Sequence, residues 1–285
     1  MERIAVLVDS GTDVPDQYIE QYHMYTLPLL INYADGEYQD KIDITAQEVY
    51  DRLETEVPTT SLPSMERIHQ AFDEIIAAGY QKLIVVTISS GLSGTYNALR
   101  LVSQSYPQLD TFLLDTKNIG IGAGFLAIAA GECIQHGMPF EAIVAKLTEI
   151  VPQTKIFFCV KTLEYLKKGG RIGTVPYVFG TALNLRPIIS CNADGVYYTA
   201  RLVRGRTHPW HKALELAATF ADQFASYHVA IADGGAPDVA EAVAKEIATA
   251  FPRAKCVFRG SVSPALVVHT GPGLIGIGVQ KALEW

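Results

Sequence analysis

The sequence predicts an α/β protein in two parts: a first half with a largely parallel sheet carrying helices on both faces, and a second half of mixed α/β character. Three observations support this. Apolar runs of strand length alternate with helix-period patterns through the first half, a succession that folds as parallel strands joined by crossover helices. Farther along, apolar runs at 187–190 and 196–203 flank Cys191-Asn192-Ala193-Asp194-Gly195, whose Asp-Gly is a hairpin signal. A chain of 285 residues that is 49% apolar and 19% charged can also bury a large core without staples.

Taken in order, strand-like runs fall at 4–8, 25–31, 83–88, 111–114 and 156–160. Helical patterns lie between them near 15–21, 46–54, 65–78, 93–104, 122–135 and 139–150. After the hairpin, helical patterns at 210–224 and 238–251 alternate with strand-like runs at 228–232 and 255–259. Domains are expected at 1–160 and 161–285, with no repeat, linker or low-complexity tract between them.

Composition removes several function classes. Nucleic acid or an anionic membrane would need a basic face, which a net charge of −7 and an isoelectric point near 5.5 argue against short of a local patch, so no nucleic acid partner is expected and membrane contact is at most transient. Cys133, Cys159, Cys191 and Cys256 are widely spaced with no C-x-x-C pattern and read as small buried thiols. The N-terminus enters a strand-like run rather than a signal peptide, and no apolar run reaches membrane-spanning length, which implies a cytoplasmic protein.

The most informative signal is a pair of hydroxyl-rich turns, Thr60-Ser61-Leu62-Pro63-Ser64 and Ser89-Ser90-Gly91-Leu92-Ser93-Gly94-Thr95. The second follows a buried-strand pattern and opens a helix, where unpaired N–H groups, the helix dipole and small residues favour an anion. Thr60 and Ser93 are therefore candidate anion ligands, against the plainer reading of Ser93 as an N-cap. A catalytic serine is disfavoured, because Gly91-Leu92-Ser93-Gly94 lacks the G-x-S-x-G spacing and no base is assignable.

Other motifs are weaker. Asp9-Ser10-Gly11-Thr12-Asp13 follows the first strand at a carboxyl-end position and reads as a site wall; magnesium would need more acidic ligands than the sequence signals. Gly120-Ile121-Gly122-Ala123-Gly124 has G-x-G-x-G spacing and no ribose-binding acid, so its glycines point to close packing rather than a dinucleotide. Leu166-Lys167-Lys168-Gly169-Gly170-Arg171-Ile172-Gly173 reads either as a loop that meets phosphate or an acidic partner, or as a solvated helix end; Arg201, Arg204 and Arg206 pose the same choice. In His269-Thr270-Gly271-Pro272-Gly273 the histidine either donates to an anion or satisfies backbone. His208 and His211 signal no third ligand, which argues against zinc.

In this order, the Asp9–Asp13 run, the two hydroxyl turns, residues 166–172, Arg186-Pro187-Ile188 and the His269 turn resemble the DegV family over essentially the whole chain. The resemblance implies a two-domain DegV-like α/β fold with a long-chain fatty acid between the domains, its tail buried and its carboxylate at a polar end. Matching motif to motif, it places Thr60, Ser93 and His269 at that end and makes Ser61, Gly94, Thr95, Thr270 and Gly120 ligand-binding residues beside them. Arg171 and Arg204 would face a partner, a separate ATP-dependent fatty acid kinase. The chain itself would need no cofactor beyond the bound fatty acid and would do no covalent chemistry, acting as a lipid carrier that presents the carboxylate.

Two departures stand out. Val268 replaces the usual glycine before the histidine, and Gly120 replaces a hydroxyl at a helix start that the resemblance places beside the ligand. The alternatives are an enzyme acting on a small anion through Ser93 or an Asp9/Asp13 metal site, and a lipid sensor that closes on its ligand. Tyr177-Val178-Phe179 and Phe157-Phe158 are candidates to line a tunnel, although an ordinary core explains them equally well.

Overall fold

A computed structural model describes residues 2–176, 185–204 and 208–284. The first half runs β1 (Ile4–Asp9), α1 (Asp16–Gln21), β2 (Tyr25–Leu27), β3 (Leu30–Tyr33), β4 (Gly36–Gln39), α2 (Ala46–Arg52), β5 (Thr59–Ser61), α3 (Met65–Ala77), β6 (Lys82–Thr87), α4 (Thr95–Ser103) and β7 (Asp110–Asp115). The chain continues through α5 (Ile121–Gln135), α6 (Phe140–Ile150), β8 (Thr154–Cys159), α7 (Glu164–Lys168), β9 (Leu185–Cys191) and β10 (Tyr197–Arg204). It ends with α8 (Pro209–Ala221), β11 (Tyr227–Gly234), α9 (Pro237–Ala250), β12 (Ala254–Ser261), α10 (Pro264–Thr270) and β13 (Leu274–Lys281).

Three sheets result. Strands β2-β1-β6-β7 form a parallel sheet, β10-β9-β8-β13-β11-β12 form a mixed one, and β4-β3-β5 form a small antiparallel one. All six residues of β1 are buried, as expected of a strand covered on both faces. Helices α3 and α4 lay Phe72, Ile75, Leu99 and Val102 on one face of the parallel sheet. On its other face α5 packs between the two larger sheets, and twelve of its fifteen residues are buried, so the helix is apolar all round. Helices α8 and α9 cover the outer face of the mixed sheet.

The glycines of α5 serve this packing, as the sequence suggested. A Cβ at Gly124 would strike the Thr12 carbonyl, and one at Gly122 would strike Asn118 and press on Ile156. The Asp-Gly hairpin also forms, with Gly195 at φ 77° between β9 and β10.

Two expectations about strands are corrected. The run 25–31 is two strands in different sheets: β2 pairs with β1, β3 pairs with β4 and β5, and Pro28, which lacks an N–H, breaks the run. The run 156–160 does not extend the parallel series. As β8 it pairs antiparallel with β13 and β9, because α5 and α6 have carried the chain across to the mixed sheet. The change of sheet thus precedes the division expected at residue 160.

Candidate functional site

Between the carboxyl ends of the parallel strands and the inner face of the mixed sheet lies a cavity of about 1090 Å³, its mouth included. Its walls are mainly aliphatic, with Ile88 and Leu92 from the first half, Ile156, Phe158 and Leu274 from the second, and Leu266 on α10. Alternation along β8 sends Phe158 into the cavity and Phe157 into the outer core under α8. Of the five lining candidates, Phe158 is thus placed in the wall, and Tyr177, Val178 and Phe179 lie outside the described residues.

The polar residues of the wall come from both halves. Thr60 and Ser61 sit on β5, whose pairing with β3 sets their side chains, and Ser64 just beyond caps α3 by accepting from Arg67 N–H at 3.1 Å. Ser93 and Gly94 lie in the turn before α4, where Ser89 O accepts from the N–H groups of Leu92 and Ser93. That turn is fixed by the second half: a Cβ at Gly91 would crowd the Asp194 and Gly195 carbonyls, and one at Gly195 would overlap Ser89. Glycine meets glycine where the two halves touch.

His269, at the far end of α10, brings its Nε2 to 2.6 Å from Thr60 Oγ1. Its Nδ1 is buried without a partner, packed on Gly169 so tightly that any Cβ there would overlap the ring. Burial, with Arg171 second, lowers the imidazole from 6.5 to about 4, so it is neutral at physiological pH. A buried N–H without an acceptor costs more than a bare lone pair, which places the proton on Nε2. In that tautomer His269 donates to Thr60 Oγ1, and the Thr60 hydroxyl is left to donate its own proton into the cavity.

Ser93 Oγ lies 2.9 Å from Thr95 Oγ1 and accepts from Thr95 N–H at 3.3 Å. Thr95 is fully buried and does not line the cavity, so it supports Ser93 rather than meeting a ligand. Ser61 accepts from Asn32 Nδ2 at 3.2 Å, and Thr270 donates to Leu266 O at 3.1 Å. Arg171, expected on a partner-facing surface, is half-buried in the cavity wall, where it donates to Gly169 O at 2.7 Å and Leu92 O at 3.3 Å. Two backbone carbonyls pull it inward. Arg204, at the end of β10, is exposed, and Arg206 lies outside the described residues.

The start of α10 carries features that the motifs did not reveal. Asp13 Oδ1 accepts from Ser263 N–H at 3.1 Å and pairs with Lys41 at 3.4 Å. Asp40 Oδ1 accepts from Ala265 N–H at 3.0 Å, and its Oδ2 accepts from Ser10 Oγ at 2.6 Å. Two carboxylates of the first half therefore hold the N-terminus of the helix that carries His269, where the helix dipole also favours them. Burial raises Asp9 to about 7 and Asp13 to about 6, and shifts Asp40 upward as well. Asp13 gave a signal as part of the first motif. Asp40 gave none, because its partner Ala265 is 225 residues away.

The fold and the site together define a class: an α/β protein with two large sheets and a small third one that closes an apolar cavity over one hydroxyl-, imidazole- and guanidinium-bearing end. This chain belongs to the DegV family of uncharacterised proteins, whose model matches residues 3–282. It is 40% identical to a DegV domain-containing protein of Clostridium acetobutylicum, over 99% of this chain and 100% of the relative. Among solved structures, a DegV family protein from Thermus thermophilus described as fatty acid binding superposes with a TM-score of 0.91 at 27% identity, covering 98% of this chain and 100% of that one. A stearic-acid-binding protein from Eubacterium ventriosum superposes with a TM-score of 0.87 at 28% identity, covering 99% and 98%.

Proposed function

We propose that this protein binds one long-chain fatty acid, with the acyl chain along the aliphatic cavity and the carboxylate at Thr60, Ser93 and His269. The observation that carries this reading is the composition of the wall. Apolar side chains dominate it, Thr60, Ser93 and Arg171 bring donors to it from both halves of the chain, and His269 orients the Thr60 hydroxyl. Burying one methylene contributes about 0.8 kcal/mol, so an acyl chain of about sixteen carbons supplies on the order of 10 kcal/mol before ordering costs. Hydroxyl donors and the inward-facing Arg171 then offset the desolvation of the carboxylate.

The protein does no covalent chemistry in this reading; it presents the carboxylate to a separate kinase that supplies ATP and magnesium. The nearest polar partner of Ser93 is Thr95 rather than a base, which leaves Ser93 without nucleophilic activation. The exposed Arg204 is the candidate for the kinase-facing surface, and Arg171 serves the ligand. Among the described residues no helix is long and apolar enough to cross a membrane.

Mass spectrometry of the purified protein, first native and then after denaturation and organic extraction, tests the binding step. One equivalent of fatty acid is the expected result; an empty protein that takes up no added fatty acid would overturn it. Mixing the loaded protein with a cognate kinase and ATP tests the second step. Acyl phosphate formed only in the presence of both proteins is expected, and its absence with every candidate kinase would reduce the reading to a binding protein.

A further inference from the structure

The cavity has a second polar feature away from the carboxylate end. Asp13 lines it with a side chain only 4% exposed, and its backbone is fixed in the left-handed region at φ 49°. Its partners Ser263 N–H and Lys41 both engage Oδ1. Oδ2 faces Gly120, and a Cβ built there would lie 3.3 Å from it. A side chain with a hydroxyl at position 120 would reach this oxygen; glycine leaves it to whatever occupies the cavity. Ser263 caps α10 and His269 lies six positions farther along, so the backbone points at which Asp13 and the His269 end engage the helix are about 9 Å apart, at ~1.5 Å per residue.

Resting on the fatty acid reading above, the geometry points to a second subsite: Asp13 Oδ2, in the space opened by Gly120, accepts a hydrogen bond from a hydroxyl carried partway along the acyl chain. The preferred ligand class is a chain-hydroxylated fatty acid. An unsubstituted methylene placed there would leave a desolvated carboxylate oxygen without a donor, a costly arrangement. A hydroxyl satisfies it, and a hydrogen bond to a charged acceptor in a water-poor site is among the stronger ones. Elevation of the Asp13 carboxyl to about 6 by burial is consistent with an acceptor short of donors, and it leaves the group mostly ionised at neutral pH.

The test is a competition series on the delipidated protein, with octadecanoic acid as reference and positional isomers of hydroxyoctadecanoic acid as probes. One interior position is expected to bind about tenfold more tightly than the reference, with the advantage falling away at neighbouring positions. Gly120→Ser supplies an internal hydroxyl to Asp13 and should shrink that ratio toward one; circular dichroism and thermal unfolding check that the variant folds at its positive φ. A native series in which no hydroxylated isomer exceeds octadecanoic acid overturns the subsite and leaves the fatty acid reading intact. Failure of octadecanoic acid and all isomers to bind overturns both.

Discussion

At its N-terminus α10 meets two carboxylates that accept from Ser263 and Ala265; at its C-terminus it holds His269 against Thr60, with one ring nitrogen unpaired. Both ends are buried, and burial moves each titrating group toward its neutral form, Asp13 up to about 6 and His269 down to about 4. What separates them is the kind of group left over. Asp40 has a donor on each oxygen and Asp13 spends Oδ1 on Ser263 and Lys41, so the first end offers the cavity only an acceptor, Asp13 Oδ2. The other end keeps a hydroxyl proton to spare, and spare donors in a dry cavity are what a bound carboxylate needs.

The sharpest way to break this comparison is Asp40→Ala. It strands the Ala265 N–H and the Ser10 hydroxyl and should lower unfolding free energy by about 3 kcal/mol, read from urea denaturation. A loss below about 0.5 kcal/mol, the range of an ordinary surface change, would show that the acid clasp does not hold the helix.

His269→Ala probes the opposite end and should weaken fatty acid binding roughly thirtyfold, or about 2 kcal/mol, by removing the group that orients Thr60. Unchanged affinity in a titration of the delipidated variant would remove the imidazole from the site. Ser93→Ala is expected to cost about fivefold in affinity, near 1 kcal/mol, because Thr60 and Arg171 remain in place. A variant that bound as tightly as the parent would return Ser93 to a simple turn residue.

Titration sharpens the contrast further. Asp9 and Asp13 are raised from 3.8 to about 7 and about 6, so each binds its proton more tightly in the folded protein. Their contribution to stability is complete below about pH 3.8 and is lost as pH rises through 6 to 7. His269 and His228, both lowered from 6.5 to about 4 by burial, act oppositely, and their contribution makes stability climb between about pH 4 and 6.5. His269→Gln removes one rising contribution. Its denaturation midpoint should therefore fall relative to the parent as pH increases from 4 to 6.5; parallel pH profiles would contradict the lowered imidazole.

Much of this molecule was legible in its sequence, for physical reasons that differ by region. The parallel strands showed because strands buried on both faces are continuous apolar runs, and the hairpin showed because Asp-Gly meets the turn's demand for positive φ. β13 was hidden, since Gly276 and Gly278 lower its strand propensity; a Cβ at Gly278 would press on Phe125 of α5, a tertiary reason invisible locally. The hydroxyls and His269 could be named from motifs, and seven of the eight proposed ligand residues line the cavity, Thr95 excepted. The resemblance gave Arg171 a partner-facing role, and nothing local in the Lys-Gly-Gly-Arg run distinguishes a cation that turns inward from one at a solvated helix end. Only the long-range carbonyl of Leu92 reveals that it turns in.

The most direct measurement compares a saturated long-chain fatty acid with its methyl ester and its primary alcohol, each titrated into the delipidated protein. All three carry the same chain, so only the polar end of the cavity can tell them apart. The expected result is that the acid binds at least about tenfold more tightly than the ester, with the alcohol between them. Equal affinities for the three would mean that Thr60, Ser93, His269 and Arg171 hold no carboxylate, and would contradict the site assigned to them.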